Sequence, residues 1–179
     1  MPNLISESDF DSIFRTIHTH LVRNNFANPH KCCTFFSVTG AAILNICHNI
    51  KAHSRSGAAM FDVGLNHKLV FADPNSQIVT HCNDGFHSWI ETDDWFIDFT
   101  SPLFPEMIAP LNIGNCDRMM LQKPLCEAAP SISELNTRNC FCLFPDYDFT
   151  LARIDSVIEN NAFFNIMQEC IDSYKNQHL

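Results

Sequence analysis

The chain has 179 residues, which suits one domain (residues 1–179) able to bury a substantial core. Eleven lysines and arginines stand against 20 aspartates and glutamates, a formal charge of −9. Nucleic acid and an anionic membrane surface are therefore not expected as partners, since both attract a basic patch and the basic residues here are scattered.

Nine cysteines, an odd number at irregular spacing, do not describe a secreted disulfide scaffold. The N-terminus lacks a basic stretch followed by an apolar one, so no signal peptide is expected. No run of roughly 18 apolar residues is present to span a bilayer. The expected home is a reducing cytoplasm.

Residues 6–24 read as an amphipathic helix. Ser6 and Asp9 form a capping pair, and Phe10, Ile13, Phe14, Ile17 and Leu21 make the apolar stripe. A loop from Asn24 to Pro29 leads into a second helix, near residues 33–50. There Phe36, Gly40, Ile43, Leu44 and Cys47 recur at spacings of three and four. Pro29 places the helix start between His30 and Thr34, so Cys32 or Cys33 occupies the first turn. The open N–H groups and the macrodipole at that end favour a thiolate.

Short strands are expected near 56–63, 68–72 and 76–82, separated by turn clusters such as Asp73-Pro-Asn-Ser. Gly57 is expected to let a strand pass close to the cysteine helix. The segment from Phe86 to Thr100 reads as a β-hairpin with period-two alternation on both arms. If Thr92 and Asp93 form the turn, Glu91 faces Asp94 and His87 faces Asp98. Directly opposed side chains lie about 5 Å apart at Cβ, within hydrogen-bonding reach for an imidazole and a carboxylate. A histidine oriented by a carboxylate is two thirds of a nucleophilic triad, and Cys33 is the natural third member. Cys32 is the rival thiol. Trp89 is expected to line the cleft, with Trp95 turned to the core.

Prolines at 102, 105, 110, 124 and 130 break up residues 101–139. This stretch reads as a meandering loop with short helical turns, of a length that elsewhere serves as a lid or binding wall. Residues 140–144 read as a buried strand. A closing helix is expected to start near Thr150 or Ser156, with Ser156 and Glu159 as its capping box. Helices first and an antiparallel sheet afterwards make an α+β layout.

Cys33-Thr-Phe-Phe-Ser resembles the papain-type signature, with an aromatic at +3 and a small residue at +4 from the nucleophile. His87-Ser-Trp-Ile-Glu, followed by Trp95 and Asp98, is similar to the histidine and aspartate strands of transglutaminase-like proteins. The chain as a whole is most similar to a small bacterial family of unknown function grouped with the papain-like cysteine proteinases, the match covering roughly residues 30–105. The resemblance implies a papain-like fold with the cysteine helix packed on the sheet. It also implies Cys33 as nucleophile, His87 as general base and acid, and Asp98 as the group orienting the imidazole. Papain-like proteases carry a glutamine upstream of the cysteine as oxyanion donor, whereas the first glutamine here is Gln77. Asn25, Asn28 or N–H groups at the helix start would take that role.

These features point to a thiol-dependent acyl hydrolase or transferase of the peptidase, amidase or deamidase type, acting on a protein or on a small amide or thioester. The alternative is an inactive papain-like fold that binds proteins, with Cys33 as packing. No dinucleotide or phosphate-loop motif is present, and no Cys-x-x-Cys or His-Glu-x-x-His spacing. No cofactor is expected. Zinc, through His81, Cys82 and His87 with Cys140 and Cys142, is the weaker use of these side chains.

Overall fold

The structure, a computed structural model, describes residues 3–64, 67–111, 116–136 and 138–178. Helix α1 spans Glu7–Arg23 and starts where expected: Ser6 Oγ accepts the Asp9 N–H at 3.0 Å, satisfying one of the donors a helix start leaves open. Helix α2 spans Cys33–Cys47, after a single 3-10 turn at Pro29–Lys31. Six strands follow: β1 (His53–Asp62), β2 (Lys68–Phe71), β3 (His87–Glu91), β4 (Trp95–Asp98), β5 (Leu121–Pro124) and β6 (Phe141–Pro145). They form one curled antiparallel sheet in the order β2-β1-β3-β4-β5, with β6 also paired to β1. A short helix α3 (Phe104–Ile108) lies between β4 and β5, and α4 (Tyr147–Ile158) and α5 (Asn161–His178) close the chain. Among the described residues no helix is long and apolar enough to cross a membrane.

Both faces of the central hairpin are buried, and its alternation divides the core in two. Ile90, Ile97 and Phe99 join the core built with α1, α2 and α5. Trp89 and Phe96 join a second core with Phe61, Phe104 and Phe141. Helix α2 approaches the sheet closely because Gly40 lacks a side chain. A Cβ there would lie 2.5 Å from the Phe99 ring and 3.0 Å from Ile90. Gly40→Ala is therefore expected to cost about 1–3 kcal/mol by overpacking, read as a lower urea midpoint at unchanged m-value.

Four expectations are corrected. Residues 76–82 form no strand: the Asp73 and Ser76 side chains accept the N–H groups of Asn75 and Ile78, competing with ladder bonds, and Ile78 is 75% exposed. Gly57 faces β6, not the cysteine helix; a Cβ there would lie 2.1 Å from the Phe144 carbonyl oxygen. Part of the 101–139 stretch is strand, since β5 pairs with β4. The closing helix is two helices. Asp146 caps α4 by accepting the Phe149 N–H at 2.8 Å, Asn160 accepts the Ala162 N–H at the start of α5, and Ser156 instead donates to the Arg153 carbonyl.

Candidate active site

The hairpin turn sits one residue beyond its expected place, which shifts each pairing partner by two. Glu91 pairs with Phe96 and Ile90 with Ile97, so the two-residue loop is Asp93–Asp94, not Thr92–Asp93. Thr92 explains the shift: its N–H donates to the Trp95 carbonyl at 2.9 Å and its Oγ1 accepts the Trp95 N–H at 3.1 Å, extending the ladder by one pair. A slip of two preserves side-chain parity. His87 and Asp98 become diagonal neighbours on one face, still within reach of each other. The His87 Nε2–H donates to Asp98 Oδ2 at 2.8 Å, with the two side chains 0% and 1% exposed.

The carboxylate is held independently of the imidazole. Asp98 Oδ1 accepts the Thr100 N–H at 2.7 Å, and the Ser101 hydroxyl donates to the Asp98 carbonyl at 2.6 Å. The imidazole in turn lies in an aromatic cage. Phe71 stacks on it at 4.4 Å between centroids, while Phe61 and Phe104 lie steeply inclined to it at 5.4 and 6.2 Å. These neighbours exclude water, and the stacked face of Phe71 suits a cationic ring.

Cys33 comes from the other side of the sheet. Its helix belongs to the core on the Ile90 face, whereas His87 and Asp98 share the Trp89 face by strand parity. They meet near the start of β3. Ser88 lies beyond the β3–β4 pairs, and its main-chain N–H favours the charged form of the Cys33 sulfur. Hydroxyl groups pin α2 at this level. The Ser88 hydroxyl bonds Thr34 at 3.0 Å and Ser56 at 2.7 Å, and Ser37 donates to the Trp89 carbonyl at 2.5 Å. Sequence reading missed this latch: alternating serines on β1 and β3 opposite Thr34 and Ser37 were its only trace.

Nε2 of His87 is taken by Asp98, and buried Nδ1 has no hydrogen-bond partner, sulfur included, among the described residues. The Cys33 thiol is the group beside the ring, and each stabilises the charged form of the other. No hydrogen bond closes between the two. Burial alone would push the Cys33 thiol up. The adjacent imidazole of His87, through its polarity and its charge, and the Ser88 main chain outweigh it and hold the thiol below its ordinary value despite opposition from Asp98. Burial would likewise lower His87, but the Asp98 charge and hydrogen bond, helped by Cys33, hold it up at about 10. Both influences favour a thiolate beside an imidazolium. Cys32 behaves oppositely: burial, and next Cys33, push it up to about 11, and its thiol points at the Asn28 carbonyl 3.8 Å away.

Cys33 and His87 border a cavity of about 640 Å³, walled by His30 and Lys31, by Leu69 and Phe71, by Asn83, Asp84 and Phe86, and by Glu106, Met107 and Pro110. A protein-family match spans residues 6–178, to proteins of unknown function designated DUF2026. The chain belongs to the DUF2026 family. A solved structure, described only as a genomics crystal structure, is similar with a TM-score of 0.84 at 29% identity, covering 97% of this chain and 82% of that one. No curated protein matches the chain.

Two residues expected at the cleft of this DUF2026 chain stand apart from it. Trp89 is 0% exposed and packs in the second core, its indole N–H donating to Glu91 Oε1 at 2.8 Å. It shares a face with His87 but lies two residues nearer the hairpin turn, in the cluster that holds Phe96 and Phe141. Asn28 is exposed and contributes its carbonyl to the Pro29–Lys31 turn, accepting the Lys31 N–H at 2.9 Å. Asn25 ends α1 with a positive φ of 64°. Among the described residues, the start of α2 leaves main-chain donors open beside Cys33. Cys32 makes no side-chain capping bond, and the first N–H groups of α2 have no partner within the helix.

His81 packs on the Phe149 ring at 3.9 Å, and Cys140 and Cys142 belong to separate apolar clusters. Among the described residues, no three His, Cys, Asp or Glu side chains gather as a metal site.

Proposed function

We propose that this DUF2026 chain is a thiol-dependent acyl-group hydrolase or transferase with a papain-like fold, using Cys33, His87 and Asp98. The observation that carries the reading is the juxtaposition of a Cys33 thiol with an imidazole whose other nitrogen is bound to a buried carboxylate, the thiol and the imidazole bordering one cavity. The packing of α2 on an antiparallel sheet, and the resemblance to papain-like and transglutaminase-like proteins, support it further.

The Cys33 thiolate attacks the acyl carbonyl, and the first N–H groups of α2 stabilise the oxyanion. As the carbon–nitrogen, carbon–oxygen or carbon–sulfur bond breaks, the His87 imidazolium gives its proton to the leaving group. The neutral imidazole then takes a proton from water or an amine, which attacks the thioester. Release of the acid or amide restores the thiolate and imidazolium. Asp98 fixes the ring through Nε2 and stabilises its cation. Water as acceptor makes a peptidase, amidase or deamidase; an amine makes a transferase.

Iodoacetamide labelling followed by peptide mapping tests the assignment. Thiolate grows as pH rises through a thiol's pKa, so Cys33 is expected to label near neutral pH and Cys32 only as pH approaches about 11. Turnover of ester, amide or thioester probes should rise through the lowered Cys33 value. It should fall again through about pH 10, where His87 loses the proton that the leaving group needs. A Cys33→Ser variant that keeps turnover, with Cys32→Ser losing it, would refute the assignment. The competing reading, a papain-like binding module in which Cys33 only packs, draws on the 6% exposure of Cys33. It requires uniform, slow labelling of several cysteines.

A further inference from the structure

We infer that the cavity beside Cys33 takes a small acyl donor with an apolar acyl group, not a length of polypeptide. The inference rests on the reading of Cys33 as nucleophile and adds its substrate class. Cys33 is 6% exposed and His87 fully buried, so the reacting carbonyl must travel inward past side chains to reach the sulfur. A peptide main chain would carry its unpaired N–H and C=O groups along that path. A slim acyl chain carries none.

The walls match an apolar group. Leu69, Phe71, Phe86, Met107 and Pro110 line the cavity from three separate segments. Phe71 joins them to the chemistry, since its ring stacks on His87 at 4.4 Å and also faces the cavity. Charged residues at the cavity carry both signs, Lys31 against Asp84 and Glu106, and so favour neither an anionic nor a cationic acyl group. The volume of about 640 Å³ falls within the roughly 300–1,000 Å³ of small-molecule sites.

Alkyl chloromethyl ketones with tails from methyl to hexyl test this without needing the natural substrate. The Cys33 thiolate displaces chloride, forming a sulfur–carbon bond as the carbon–chlorine bond breaks, while the ketone tail stands where the acyl chain would lie. Intact-mass kinetics should show labelling accelerating about fourfold per added methylene, the factor equivalent to ~0.8 kcal/mol per buried CH₂. The rise should stop once the cavity is full. Met107→Ser and Leu69→Ser should each flatten that rise, with folding checked by circular dichroism and an assembled site by iodoacetamide labelling of Cys33. Rates independent of tail length, or faster labelling by peptidyl chloromethyl ketones, would overturn the inference while leaving the nucleophile intact. Failure of Cys33 to react even with iodoacetamide would remove the nucleophile and the inference together.

Discussion

Replacing His87 with alanine is expected to slow iodoacetamide labelling of Cys33 at pH 7 by about 100-fold or more, the usual range for losing a positioned acid–base partner. The reason is electrostatic. Burial is the largest influence on the Cys33 thiol and acts against ionisation; the adjacent His87, by its polarity and charge, is the main influence opposing it. Without the imidazole only the Ser88 N–H remains on the favourable side, so the thiol should rise above its ordinary value. Each unit of that rise removes about a factor of ten from the thiolate present at neutral pH. Absorbance of the thiolate near 240 nm as a function of pH would report the shift directly. A change of less than about threefold would mean that the ring does not ionise the sulfur, and covalent catalysis would lose its basis.

The second large effect concerns stability. Asp98→Ala should destabilise the fold by about 3–5 kcal/mol, because it strips a buried imidazolium of its counter-charge and the Thr100 N–H of its acceptor. Against a total stability of roughly 5–15 kcal/mol this is a major loss, visible in urea unfolding. Its pH dependence follows from His87, which is raised from an ordinary 6.5 to about 10 in the folded chain. A raised pKa stabilises fully below the unfolded value and is lost as pH rises through the folded one. The difference between wild type and Asp98→Asn should therefore be larger at pH 6.5 than at pH 10. A difference that grows with pH would contradict the ion pair.

Much of this architecture is legible locally because it depends on short-range chemistry. The Ser6–Asp9 cap and the stripe from Phe10 to Leu21 define α1, and the position of Pro29 limits where α2 can begin. Period-two alternation in the hairpin assigns His87 and Asp98 to one face, and a slip of two residues leaves that assignment untouched. The closing region is less legible. Asp146 and Asn160 are common cap residues, but Ser156 offers an equally plausible pattern whose hydroxyl turns back to Arg153 instead. Residues 76–82 mislead in the same way: Ile78 and Val79 suggest a strand, while Asp73 and Ser76 spend nearby N–H groups on turns.

Helix periodicity, capping and strand parity are properties of a few neighbouring residues, so the amino-acid order alone determined α1, the start of α2 at a cysteine, and the shared face of an imidazole and a carboxylate. Which thiol meets the ring, that Ser88 and Thr34 lock the helix to the sheet, that three phenylalanines enclose His87, and that Trp89 is core were decided only by tertiary packing. Those contacts join residues tens of positions apart, and loop closure and side-chain interlocking select them together, which no short window of sequence records.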